Sequence, residues 1–182
     1  MRIGKPVAIA AALLLTVSVV WLYLFLKGHG FSTRQKPSGI ERFLALRVRS
    51  LAIPSSADQM SNPFAADPEA IAGGADHFLE QCAICHALDG SGKTDMGVGL
   101  YPPPPDLRKE TRSLSDGAIF YIIRNGIRFI GMPSWDMHDD HIWHLVAFIR
   151  RLPRLPSDEI DRMAKQSRAT GKHGGDSRHQ HR

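Results

Sequence analysis

The hydrophobic pattern begins with an uncharged, mostly apolar run from Val7 to Leu26, twenty residues long. A helix of that length crosses a hydrocarbon core of about 30 Å. Arg2 and Lys5 precede it, and its exit, Leu24-Phe25-Leu26-Lys27-Gly28, carries no small-x-small cleavage pattern. Cleavable signal peptides have a shorter apolar region of about 7 to 15 residues. Residues 1–26 therefore read as a short cytoplasmic stub and an uncleaved transmembrane signal anchor. Gly, Ser, Lys and Pro then dominate 27–39, a juxtamembrane linker. Ile40, Phe43, Leu44, Val48 and Leu51 recur at helical spacing, with Glu41, Arg42, Arg47 and Arg49 among them, until Pro54. This amphipathic helix over 40–51 has three readings: on a membrane surface, on a partner, or on its own downstream domain. Residues 54–67 return to Pro, Ser, Asn and Asp and are expected to complete the linker.

From residue 68 to 156 the pattern is that of a small helical domain. Asp67 before Pro68 and Glu69 starts a helix that runs through Ile71, Phe78 and Leu79 into Cys82. Ser115 and Asp116 open a second through Ile119, Phe120, Ile122 and Ile123, stopped by Gly126. Asp139 and Asp140 open a third, apolar at Ile142, Trp143, Leu145, Val146, Phe148 and Ile149, with Arg150 and Arg151 at its end. No segment alternates as a strand does, so the fold class is all-α. Trp135, Trp143, Tyr121 and Phe120 are expected in a pocket or core. Residues 157–182 read as a disordered polar tail, with His173, His179 and His181 among Gly, Lys, Arg and Ser.

Charge changes the picture only by its location. The net charge is +5, yet residues 67–156 carry nine Lys/Arg against twelve Asp/Glu. The basic excess lies in 1–66 and in the tail, so the globular part has no nucleic-acid footprint.

The chemistry is concentrated in one cluster. The chain has two cysteines, and they stand in Cys82-Ala83-Ile84-Cys85-His86. This is the c-type haem attachment sequence. Three residues apart on a helical turn, both sulfurs face one way, each able to add to a vinyl group of one haem. The imidazole of His86 is a standard proximal iron ligand. A structural zinc site needs four ligands, a thioredoxin-like motif needs a βαβ setting, and a disulfide would leave His86 unexplained. One covalently bound haem c is expected. A domain of about 90 residues gains from it much of the apolar core it lacks.

The opposite iron ligand is expected to be Met132. Gly131-Met132-Pro133 lies in an interhelical loop 46 residues beyond His86, where folding can bring a thioether to the iron and raise its potential. Met96 and Met137 are rivals, and core filling is the ordinary role of a methionine. His138, His141 and His144 are spaced by three; without a completing carboxylate pattern they read as solvated or packed helix residues. Bacterial c-type haems are attached outside the inner membrane, so the domain is expected in the periplasm and the N-terminus in the cytoplasm.

Over residues 68–156, about half the chain, the sequence resembles a class I cytochrome c, here as a membrane-anchored monohaem form. The resemblance rests on Cys82, Cys85, His86, Gly131, Met132 and Pro133, together with Gly74, Phe78 and Phe148. It implies that the last three pack where the first and last helices cross. Pro105-Asp106-Leu107 resembles the segment whose proline carbonyl accepts the proximal histidine N–H. Ala87 departs from the glycine that often follows the motif histidine. The resemblance implies a one-electron carrier and no enzyme, with membrane or periplasmic dehydrogenases and oxidases as partners. A haem subunit of a larger respiratory complex, or a haem sensor or enzyme with an open distal site, are the other readings.

Overall fold

In a computed structural model the structure describes residues 4–29, 38–128 and 130–169. Two compact units divide the chain near residue 35. The first is the helix α1, Lys5–His29, whose segment Lys5–Gly28 is long and apolar enough to cross a membrane. That test is also passed by signal sequences.

The second unit has helices as the only regular structure among its described residues. It holds α2 (Gly39–Ala52), α3 (Ser55–Asp58), α4 (Pro68–His77), α5 (Ala83–His86), α6 (Asp95–Val98), α7 (Leu107–Glu110), α8 (Asp116–Asn125), α9 (Asp139–Arg151) and α10 (Ser157–Ala169). Two helix starts carry the capping groups the sequence suggested, while α9 starts at His138 without a side-chain cap. Asp67 accepts from the N–H groups of Glu69 and Ala70 ahead of Pro68, and Ser115 from that of Ala118. Ser38 and Glu41 form a reciprocal capping box at α2.

The core forms where α4 crosses α9. A Cβ on Gly74 would lie 2.1 Å from the carbonyl oxygen of His144, so only a glycine admits α9 this closely. Beside it the rings of Phe78 and Phe148, both fully buried, stand 5.2 Å apart. Phe120 stacks on Trp143 at 4.3 Å between α8 and α9. Arg150 fastens these helices, bonding Asp116 and the carbonyls of Thr111 and Leu114, each at 2.6 Å.

Three segments depart from expectation. The helix leading to Cys82 is not continuous: after His77 it widens into a π-helical turn, Phe78–Cys82, before α5. Residues 54–67, expected as linker, pack on the domain. A Cβ on Gly117 of α8 would lie 1.8 Å from the Ala57 carbonyl oxygen. Asn62 is buried and donates to the Trp143 carbonyl at 2.9 Å. Of the expected polar tail, Ser157–Ala169 forms α10, which buries Met163 and Ser167. His173, His179 and His181 lie outside the described residues.

Candidate haem-attachment site

The motif begins at the end of the π turn, with Cys82 as the cap of α5 and Cys85 and His86 on α5 itself. A π turn admits one more residue per hydrogen-bonded ring than an α turn, and such turns concentrate at functional sites. Both thiols are free of any disulfide. Burial, and then the neighbouring Cys85, push the Cys82 thiol up to about 12. Burial also raises that of Cys85.

The chain leaving α5 folds back and satisfies the motif's carbonyls. Gly92 N–H donates to the His86 carbonyl at 2.8 Å, and the Thr94 hydroxyl to that of Cys85 at 3.3 Å. The same Thr94 oxygen caps α6, accepting from Gly97 N–H at 2.8 Å. The reversal occurs at Ala87, whose φ of 61° and ψ of 159° are a conformation normally reserved for glycine. The departure noted at this position thus falls on the one non-glycine residue with positive φ among the described residues.

This loop is clamped to the segment that follows the proline run. Leu107 N–H donates to the Gly90 carbonyl at 2.8 Å. A Cβ on Gly92 would lie 2.4 Å from the Pro104 carbonyl oxygen. Arg108 reaches both sides, 3.0 Å from Asp89 and 2.9 Å from Asp106. Its hydrogen bond holds the Asp106 carboxyl down at about 2. The result presents the Pro105 backbone to His86. Burial lowers the imidazole's proton affinity and the Pro105 carbonyl opposes that change. The pair falls short of normal hydrogen-bond geometry, so Nδ1 of His86 is buried without a formal partner. Sequence reading found Pro105 but missed Arg108 and Asp89, which lie nineteen residues apart and share no motif.

Met132 sits in the α8–α9 loop and packs against the hydrophobic core, as does Met137. Met96 is about half exposed on α6. The Met132 backbone is pinned to the end of α8: its carbonyl accepts from Ile127 N–H at 3.1 Å. Gly126, at φ 65°, has no room for a Cβ, which would meet Pro133 and Ser134 backbone atoms at 2.6 Å. Trp135 N–H bonds the Ile123 carbonyl at 3.3 Å, and Arg124 reaches the Met137 carbonyl at 2.9 Å. On the other side, a Cβ on Gly131 would strike Leu100 at 2.6 Å.

The three spaced histidines do not share one environment. His138 is exposed, whereas His144 is half-buried and stands edge-on to Phe64 at 4.8 Å. His141 pairs with His77 of α4 at 4.7 Å, a neighbour the spacing did not indicate. Burial, then His141, holds His77 below the usual imidazole range. Among the described residues no group of three or more His, Cys, Asp or Glu is arranged to hold a metal ion.

Residues 69–149 match the sequence model of the family described as cytochrome c oxidase, cbb3-type, subunit III. No curated protein matches the chain. Among solved structures the chain is similar to cytochrome cL from the marine methylotrophic bacterium Methylophaga aminisulfidivorans. The identity is 20%, over 77% of this chain and 83% of that one, with a TM-score of 0.42. Residues 69–149, which hold the CxxCH motif, Pro105 and Met132, form a cytochrome c domain similar to that oxidase subunit.

Proposed function

We propose that this protein is a membrane-anchored monohaem cytochrome that carries single electrons between redox proteins on the periplasmic side of a bacterial inner membrane. One observation carries the reading: within the cytochrome c domain, Cys85 and His86 lie on a short helix that Cys82 caps, and the carbonyls at its exit are already bonded. This donor set fits a covalent haem c. The two thiols would form the thioether bonds, and with Nδ1 of His86 buried beside the chain, Nε2 would be the nitrogen left to hold the iron. When bound, the haem supplies a one-electron couple between ferric and ferrous iron. His86 and Met132 would hold its iron.

The remaining work belongs to the chain. Loop 87–98 and the Arg108 clamp fix the position of His86, and the Gly126 turn fixes the backbone of Met132. Holding both residues in place limits reorganisation between oxidation states. The core of Phe78, Phe148, Trp143 and Phe120 keeps water from the interior. The α1 helix serves as the anchor.

The test is expression of the full chain in a host that attaches c-type haem. One haem per chain, retained after denaturation and acid-acetone extraction, is expected in carbonate-washed membranes, with the N-terminal segment still present by mass. Haem lost to acid-acetone would refute covalent attachment. Release of a chain lacking residues 1–26 would refute the anchor. The oxidase-subunit description of the matching family favours a second reading, a haem subunit of a larger complex. Co-purification of a stoichiometric partner in mild detergent would select it.

A further inference from the structure

We infer that α2 is an interfacial helix that binds an anionic phospholipid surface with its apolar face. This rests on the anchored reading for its location but on separate residues for its chemistry. Ile40, Phe43, Leu44 and Val48 are 75%, 55%, 55% and 65% exposed. They recur three and four apart and form one stripe. Of the three readings, packing on its own domain is therefore not met by these four side chains. An apolar stripe of this kind open to water marks a binding surface.

Three observations choose lipid as its occupant. Arg47 falls inside the stripe, its guanidinium 5.2 Å from the Phe43 ring centroid. A protein groove closing over the stripe would have to desolvate that charge. At a headgroup layer the guanidinium reaches phosphate while its stem and the Phe43 ring stay among acyl chains. The charge of the region is complementary to such a surface: residues 27–57 contain Lys27, Arg34, Lys36, Arg42, Arg47 and Arg49 against the single acid Glu41. That acid is already engaged, in the cap with Ser38 and as acceptor for the Tyr101 hydroxyl. Finally, nine residues, 30–38, separate α1 from α2. Fully extended they span about 30 Å, so α2 stays within reach of the surface from which α1 emerges.

The contact has a consequence for the haem domain. Glu41 ties α2 to Tyr101, next to Leu100, which abuts Gly131 beside Met132. Lipid binding by α2 thereby orients the Met132 side of the domain with respect to the membrane.

The test uses the full holoprotein, in which Cys82 and Cys85 are consumed as thioethers, so that an added cysteine is the sole free thiol. A nitroxide is placed in turn at Val48→Cys, at Lys93→Cys as an exposed control, and at Leu14→Cys in α1. Collision with oxygen is compared with collision with an aqueous nickel chelate, in phosphatidylethanolamine/phosphatidylglycerol vesicles. The label at 48 is expected at the headgroup/acyl boundary, with an oxygen-to-nickel ratio on the order of tenfold above that at 93. The Val48→Cys ratio should fall in pure phosphatidylcholine. A ratio at 48 equal to that at 93, or a label shielded from both reagents as under protein, overturns the inference. The label at 14 judges the anchor separately: nickel access there refutes the membrane span, whatever position 48 reports.

Discussion

Ala87 carries the clearest local strain. Its φ of 61° and ψ of 159° turn the chain out of α5, so that Gly92 can bond the His86 carbonyl. A β-carbon in that conformation costs about 1–3 kcal/mol, while glycine adds entropy to the unfolded chain. Ala87→Gly is therefore expected to stabilise the holoprotein by about 1 kcal/mol, seen as a higher guanidinium midpoint with the spectrum of the haem unchanged. An equal or lower midpoint would mean that residue 87 does not hold this conformation. The identity of the motif residues was legible from five consecutive letters, because their chemistry is set by residue type and spacing. The strain at Ala87 was not, since a departure from a family habit says nothing of φ. Nor was the Arg108 bridge, which needs Asp89 and Asp106 brought together by the fold.

Among the elements, the α4–α9 crossing decides whether the domain closes. Gly74 meets the His144 carbonyl oxygen with no space for a methyl group. Gly74→Ala has to push two helices apart beside Phe78 and Phe148, which is expected to cost about 2–3 kcal/mol. Chemical unfolding followed by far-ultraviolet circular dichroism measures it, and a change below about 0.5 kcal/mol, the range of ordinary surface substitutions, would contradict the crossing described. The three principal domain helices were readable from their period, and α4 and α8 also from their caps. The segments read as linker and tail were not. Asn62 is polar by type and buried by a bond to a carbonyl 81 residues away. In α10 the charged residues dominate, and the burial of Met163 is fixed by contacts that periodicity cannot reveal. The π turn before Cys82 likewise left no mark in the hydrophobic pattern.

For the whole molecule, an apolar N-terminal helix, a basic segment with an open apolar stripe, and an acidic cytochrome c domain follow one another along the chain. That order agrees with the membrane-held carrier proposed above. The proposed pairing of His86 with Met132 at the iron decides that reading, because a filled distal position separates a carrier from a gas-binding or catalytic haem protein. Oxidised and dithionite-reduced absorption spectra of the detergent-purified holoprotein, with and without carbon monoxide, test it most directly. A low-spin c-type spectrum with the weak sulfur-to-ferric-iron band and no response to carbon monoxide is expected. Met132→Ala is expected to lose that band and gain carbon monoxide binding. A high-spin or readily carbonylated wild-type haem, or a Met132→Ala spectrum identical to the wild type, would contradict it.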